Sequence, residues 1–480
     1  MTVLSMLIAW DVLRDGIKAV IHLHADFCTL ITLTLIMTIV HSAVRMTSVG
    51  EEIAYPCVAM AALFALMRAR VAQAGARRNT YKMAALNRAP IGVFLHREPK
   101  PHLVKRRLED NQVFLACTAR DGWYSRIERL YTPVAIVAAA VLAWIISAMT
   151  KDQGRFVYTF SALLTAASQI GLLTAVAFGS VNTTRRLIRD DAALAGLASA
   201  VRLSNASQVV MTEEDLFPTG SILIDDYVDI RGAMQMDDVL AYAAAVEGDS
   251  AVGRVLKEKI HQRYGDQVAA HDHVRYENGG NGARIGDREV LFGTAAFMQE
   301  MKIPIPALAD EEDHLFLAVD GTTEAVFEIE YVATTQVYTA LQSLAERQIS
   351  VLFQAGDCYL SVERLCDLFG LQPGMIHMPA PEQERQLMSP AYTENDTLLA
   401  ILTRDGAAPY SDCVDAAYSL RRLTGGGMLL GMLAAVIDLV LMSYLCYVFA
   451  PLGASPLRVL LYSLLWFIPI FFIENEAKRG

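Results

Sequence analysis

The sequence predicts a multi-pass α-helical membrane bundle joined to a cytoplasmic α/β domain, with a second, α+β domain inserted into the latter. Three observations carry this. The chain's 480 residues are 54% hydrophobic and 19% charged, with a mean hydropathy of +0.32. That is too apolar for an ordinary soluble protein and too charged for a bare bundle. Six stretches approach the roughly twenty apolar residues that a span requires. Between the fourth and the fifth lies a long polar region where buried-strand patterns ending in acidic residues alternate with helical ones.

The six stretches are 27–46, 53–66, 131–148, 156–178, 428–447 and 457–473. The second is short and borrows Met67 and Val71 across Arg68 and Arg70, whose long stems can snorkel. Lys and Arg heavily outnumber Asp and Glu over 68–129, which assigns that segment to the cytoplasm. An even number of spans then puts both termini and the large polar region inside, with the plasma membrane as the expected location. Residues 1–26 are interrupted by Asp11, Arg14 and Asp15 and have no cleavage-site pattern, so they read as an amphipathic interfacial helix. The net charge of −11 argues against nucleic acid as a partner, leaving the lipid bilayer. Seven cysteines, an odd count with no CxxC pair, signal neither a disulfide framework nor a zinc site.

Within the polar region, VVMTEED (209–215), ISVLFQAGD (349–357) and TLLAILTRDG (397–406) each read as a buried strand running into an acid. The second is followed by the helical SVERLCDLFGL. Such units predict a parallel sheet with functional groups at the strands' C-terminal ends. DDVLAYAAAVEG, AVGRVLKEKIHQRYG and the hairpin-like ARIGDREVLFG mark the insertion. The expected domains are an N-terminal helix (1–26), membrane pairs (27–72, 131–180, 427–474), a small cytoplasmic unit (73–130), an α/β unit (181–231 with 314–426) and an inserted unit (232–313).

Several of these stretches, in this order, resemble the P-type ATPases, most closely the heavy-metal-transporting branch. RIERLYTPVAIV resembles the entry to that family's third core span, and DDVLAYAAAVEGDSAVGRVL the opening of its nucleotide domain. REVLFGTAAFM resembles the strand and helix closing the nucleotide motif. ISVLFQAGD resembles the strand ending in TGD, and GMIHMPAPEQERQLM the segment where PExK is expected. The resemblance runs from residue 27 onward, without the two extra N-terminal spans typical of the metal branch. It implies a haloacid-dehalogenase-like phosphorylation domain, an inserted nucleotide-binding-like domain, an actuator-like domain at 73–130, and ATP with Mg2+ as possible cofactors.

Residue by residue, the family's chemistry is thinned out. Its phosphoacceptor Asp of DKTGT falls on Thr212, or on Asp215 if the loop is slid. In either placement the small polar groups are missing and carboxylates accumulate, which repels phosphate. TGD becomes Ala355-Gly356-Asp357, keeping the acid and losing the hydroxyl; the PExK lysine becomes Glu384. Asp405 and Gly406 are what survive of the magnesium motif, so the site is expected to keep carboxylates and no cation. Around the expected adenine site, GDSAVGR carries Asp249 and Ser250 but no His, and the Gly-rich turn keeps Gly280 and Gly282. LHREPKPHLV resembles the actuator's TGEPxP stretch, with Glu98 as its glutamate. The metal branch's CPC falls near Ser168 and Gln169, which leaves no thiolate there. An acid at mid-bilayer, Asp438, faces either an ion or proton path shared with Ser168 and Gln169, or a hydrogen-bonding neighbour.

Three functions follow as expectations. The first is a catalytically degenerate P-type-ATPase-like membrane protein that acts as a scaffold or on a regulatory protein partner. The second is a divergent cation pump phosphorylated on Asp215. The third is a membrane-anchored nucleotide sensor.

Overall fold

The computed structural model describes residues 2–22, 24–47, 55–86, 90–97, 100–118, 122–152, 154–230, 234–263, 268–276, 279–306, 314–354, 359–379, 387, 397–448 and 455–475. Six helical segments among them are long and apolar enough to cross a membrane. The bundle packs through small side chains: Ala139, Ala143, Ala162, Ala166 and Ala167 are buried in one cluster. Elsewhere a Cβ on Gly431 would lie 2.8 Å from the Leu172 Cα. The fourth segment is broken. Its helix Arg155–Ala167 stops at Ser168, Gln169 takes an extended conformation, and Ile170–Arg189 resumes.

Among the described helices, the two longest outrun the bilayer by the widest margin. Pro56–Leu86 has 31 residues and Ala407–Val448 has 42, about 47 and about 63 Å at about 1.5 Å per residue, against a hydrocarbon core of about 30 Å. Both therefore continue as stalks into the polar part of the molecule. The N-terminal segment forms Thr2–Ile8 and Trp10–Ile21. The second of these buries Val12, Leu13 and Gly16 and exposes Ile17, Val20 and Ile21. Asp15 is tied to Arg70 of the Pro56–Leu86 helix at 2.7 Å.

The described strands form two sheets. In chain order they are β1 (Ile91–His96), β2 (His102–Arg107), β3 (Ala192–Leu194), β4 (Gln208–Thr212), β5 (Ile222–Asp229), β6 (His271–Tyr276) and β7 (Gly280–Ile285). There follow β8 (Arg288–Thr294), β9 (His314–Val319), β10 (Thr322–Tyr331), β11 (Ser350–Gln354), β12 (Ile376–His377) and β13 (Thr397–Leu402). The first sheet has the order β12-β11-β4-β2-β1-β13-β3; the second is β5-β10-β9-β8-β7-β6.

The strands QVVMT, SVLFQ and TLLAIL lie in the first sheet as their patterns predict, but the sheet is mixed. β12, β11, β4 and β2 run parallel, whereas β1 is antiparallel to both β2 and β13, and β3 is antiparallel to β13. Two reversals restore the direction, so β2, β4, β11 and β13 all end at one edge. The unit expected to stand alone at 73–130 does not: its hairpin β1–β2 is wedged between β4 and β13 in the middle of this sheet. The reason is patterning. Val93, Leu95 and Leu103 join a core with Val209 and Met211, while Phe94 and Val104 fall in separate apolar clusters. A hairpin apolar on both faces needs cover on both. The inserted domain is also larger than 232–313, because β5 and β10 carry its sheet from Ile222 to Tyr331.

Candidate functional site

The shared edge of the first sheet places Thr212, Asp215 and Asp405 together. Thr212 ends β4 and caps the single turn Glu213–Leu216. Asp215 is the third residue of that turn and closes a capping box: its Oδ2 accepts from the Thr212 N–H at 2.9 Å and from the Thr212 hydroxyl at 3.1 Å. Its Oδ1 receives the Lys105 ammonium, which also donates to Asp405 Oδ1. Asp405 Oδ1 in addition accepts from the Gly406 N–H at 2.9 Å. The side chain of Asp215 is 0% exposed, that of Lys105 8% and that of Asp405 52%. The centre of the Tyr410 ring lies 5.6 Å from the ammonium.

Burial pushes the Asp215 carboxyl above the usual carboxylate range, against the pull of Lys105 and the Thr212 N–H. Burial acts upward on Asp405 too, but Lys105, the Gly406 N–H and Arg107 outweigh it and hold that carboxyl below its ordinary value. The expectation of carboxylates without a cation is therefore corrected. The cation arrives from β2, within the stretch expected to be actuator-like. Lys105 carries no local sign of this role, because β2 meets β4 only through a pairing distant in sequence.

The fold resemblance implies a magnesium ion among these carboxylates, and the described residues do not fit one. Mg2+ demands about six oxygens at about 2.0–2.1 Å in near-octahedral geometry. Here an ammonium, which offers no lone pair, lies against both carboxylates, and the second oxygen of Asp215 is committed to Thr212.

A cleft of about 800 Å3 opens beside the site toward the second sheet, lined by Arg107, Glu214, Asp249, Arg254, Arg275 and Gly282 among others. A polar contact bridges it, and others lie beside it. Arg254 pairs with Glu214. Tyr359 donates its hydroxyl to Glu247, which also accepts from Asn281 at 2.9 Å and from Ser250 at 2.9 Å. Ser250 itself caps the helix Ala251–Gln262 through the Gly253 N–H. Asp249 is exposed and paired with Lys257 at 2.8 Å, which lowers its pKa. A Cβ on Gly280 would meet the Phe297 ring at 2.2 Å, so this glycine serves packing. Glu98, Asp357 and Glu384 lie outside the described residues.

In the bundle, the break in the fourth segment brings Gln169 to Asp438: Gln169 Nε2 donates to Asp438 Oδ2 at 2.6 Å. Both residues are buried, and Gln169 Oε1 and Asp438 Oδ1 have no hydrogen-bond partner among the described residues. Ser168 turns toward the Thr34 hydroxyl, 3.2 Å away. Asp438 is linked to the Asp405 edge by one element, since the helix that begins at Ala407 carries it. Arg186 and Arg347 both grip Asp415 on that same helix.

The backbone as a whole is similar to a zinc-transporting PIB-type ATPase solved by crystallography, with a TM-score of 0.54 at 12% identity, over 98% of this chain and 94% of that one. A crystal structure of a zinc-transporting PIB-type ATPase in another state gives a TM-score of 0.53, also at 12% identity, over 99% and 94% of the two chains. The chain has the fold of the P-type ATPases. No protein-family profile and no curated protein matches the sequence. The P-type ATPase fold, with six apolar helical segments of spanning length, makes this an integral membrane protein.

Proposed function

We propose that this protein is a catalytically silent member of the P-type ATPase lineage, acting through its shape, as a scaffold or regulator of another membrane protein, and not through turnover. One observation carries the reading: Lys105 bridges Asp215 and Asp405, and Asp215 has no exposed side-chain surface. A phosphoacceptor needs a carboxylate oxygen open to in-line approach, and phosphoryl transfer depends on groups positioned for the moving charge. Both oxygens of Asp215 are already engaged. The lysine is built into the middle of a seven-stranded sheet, so it cannot leave with a swinging domain. The Arg254–Glu214 pair, whose partners both line the cleft, further engages charged groups there that a nucleotide would otherwise meet.

A second reading, a divergent cation pump using ATP, draws support from two features. Lys105 restores a positive charge beside two aspartates, and Gln169 with Asp438 forms a buried polar pair at the break of the fourth segment. The test is incubation of the purified protein with labelled ATP and Mg2+, beside Asp215→Asn. The silent reading expects no acid-stable phosphate on either. Phosphate on the wild type that Asp215→Asn abolishes would overturn it and establish the pump.

A further inference from the structure

We propose that the Lys105 ammonium is the permanent cation of the Asp215–Asp405 site, standing where a divalent metal would otherwise sit and keeping divalent metals out. This deepens the reading of a silent site, and metal occupancy, not phosphate, is what tests it.

Two carboxylates, one fully enclosed and one half-exposed, face one ammonium. Carboxylates brought together repel unless a cation lies between them. A divalent ion and a lysine can each fill that role, but not both at once: the fixed ammonium repels any second cation at contact distance.

Tethering decides between them. Lys105 lies inside β2, opposite Val93 of β1, and its side chain is nearly buried. Delivering its charge requires no separate ion to be captured, so the entropy loss of association is largely avoided. A free Mg2+ ion must shed water, which it does reluctantly. It would find Asp215 half committed, because Oδ2 is held by Thr212. Arg107, on the same face of β2 as Lys105 by the two-residue strand period, adds to the positive field around Asp405.

The same geometry says what removal of the ammonium does. Asp215 Oδ1 and Asp405 Oδ1 both accept from Nζ of Lys105. Truncating that side chain leaves a space between two convergent carboxylate oxygens at the rim of an open cleft, from which water can complete a coordination shell. Lys105→Ala thus turns the site into a pair of carboxylates open to a divalent ion.

The test uses the full chain in detergent with Mn2+ alone as the probe, its free and bound forms followed by electron paramagnetic resonance. Wild type and Asp215→Asn are expected to bind Mn2+ equally, since no ion reaches the site in either. Lys105→Ala is expected to gain a bound Mn2+ and a Mn2+-dependent rise in melting temperature. Lys105→Ala combined with Asp215→Asn is expected to lose both. Mn2+ bound by the wild type and lost on Asp215→Asn would overturn the proposal, as would a monodisperse Lys105→Ala protein with no gain. If Lys105→Ala does not fold, Lys105→Gln takes its place, and the wild-type comparison decides by itself. Phosphate on Asp215 without Mn2+ at this site would sink the silent reading and leave this one standing.

Discussion

Replacing Lys105 by Met keeps the aliphatic stem and removes the charge, so the loss reports on the ion bridge. Removing one partner of a buried pair costs about 3–5 kcal/mol. Two features lower that figure. Asp405 is half-exposed, and its share resembles a surface pair, worth about 0–1 kcal/mol. Asp215 keeps both contacts to Thr212 and can take up a proton. Protonation sets a ceiling: holding a carboxyl of ordinary pKa (about 3.9) neutral costs about 4 kcal/mol at pH ~7 and about 1.5 kcal/mol at pH ~5. We expect Lys105→Met to lose about 2–4 kcal/mol at pH ~7 and no more than about 1.5 kcal/mol at pH ~5.

The sign follows from Asp215. Burial already holds its folded carboxyl above the usual range, and losing Lys105 raises it further. Its stabilising contribution is full below the ordinary carboxylate pKa and is lost as pH rises through the folded value. Asp405 behaves oppositely: its lowered carboxyl stabilises above the ordinary range, and that is lost as pH falls through its folded value. The assay is unfolding in detergent followed by tryptophan fluorescence across mildly acidic to mildly alkaline pH, in a double-mutant cycle with Asp215→Asn. The double variant should recover most of the loss. A deficit that does not change with pH, or no coupling between the two positions, would refute the reasoning.

Three further outcomes are expected. Gln169→Leu takes away the donor to Asp438 in the bundle and should cost about 1–3 kcal/mol, read as a lower melting temperature; an unchanged melt would mean the bond contributes nothing. Gly431→Leu forces a side chain against the Leu172 backbone and should cost about 1–3 kcal/mol by overpacking, seen as loss of the monodisperse peak in size exclusion. ATP should bind no tighter than on the order of millimolar in calorimetry, because Ser250 is engaged as a helix cap and Arg254 is paired with Glu214 across the cleft. Micromolar binding would favour a nucleotide sensor.

Much of this architecture was legible in local chemistry. The spans followed from apolar length, and the strands QVVMT, SVLFQ and TLLAIL from continuous apolar runs. The approach of Gln169 to Asp438 was legible as well, since an intramembrane acid seeks a donor and few are within reach. What stayed hidden was non-local. Val93, Phe94 and Leu95 advertise a strand buried on both faces, but nothing in them names Leu398 and Ala400 as neighbours. Lys105 is one cation in a basic run until the fold sets it beside Asp215 and Asp405. The capping box was hidden for another reason: Thr212 and Asp215 form it with a shorter acid than the Glu or Gln that usually marks the motif.

The central position of the β1–β2 hairpin also constrains how the protein is made. Its neighbour on one side is Val209, and on the other Ile401 and Leu402, close to the far end of the chain. Before that second neighbour exists, the ribosome must deliver two membrane-spanning segments and the whole inserted domain. At about 5–20 residues per second, the hairpin spends on the order of tens of seconds with a backbone edge unpaired, and unpaired edges recruit other strands. Safe synthesis therefore calls for something to shield residues 91–107 during translation, and a truncated transcript ending before residue 397 would yield an aggregating product rather than a smaller working one.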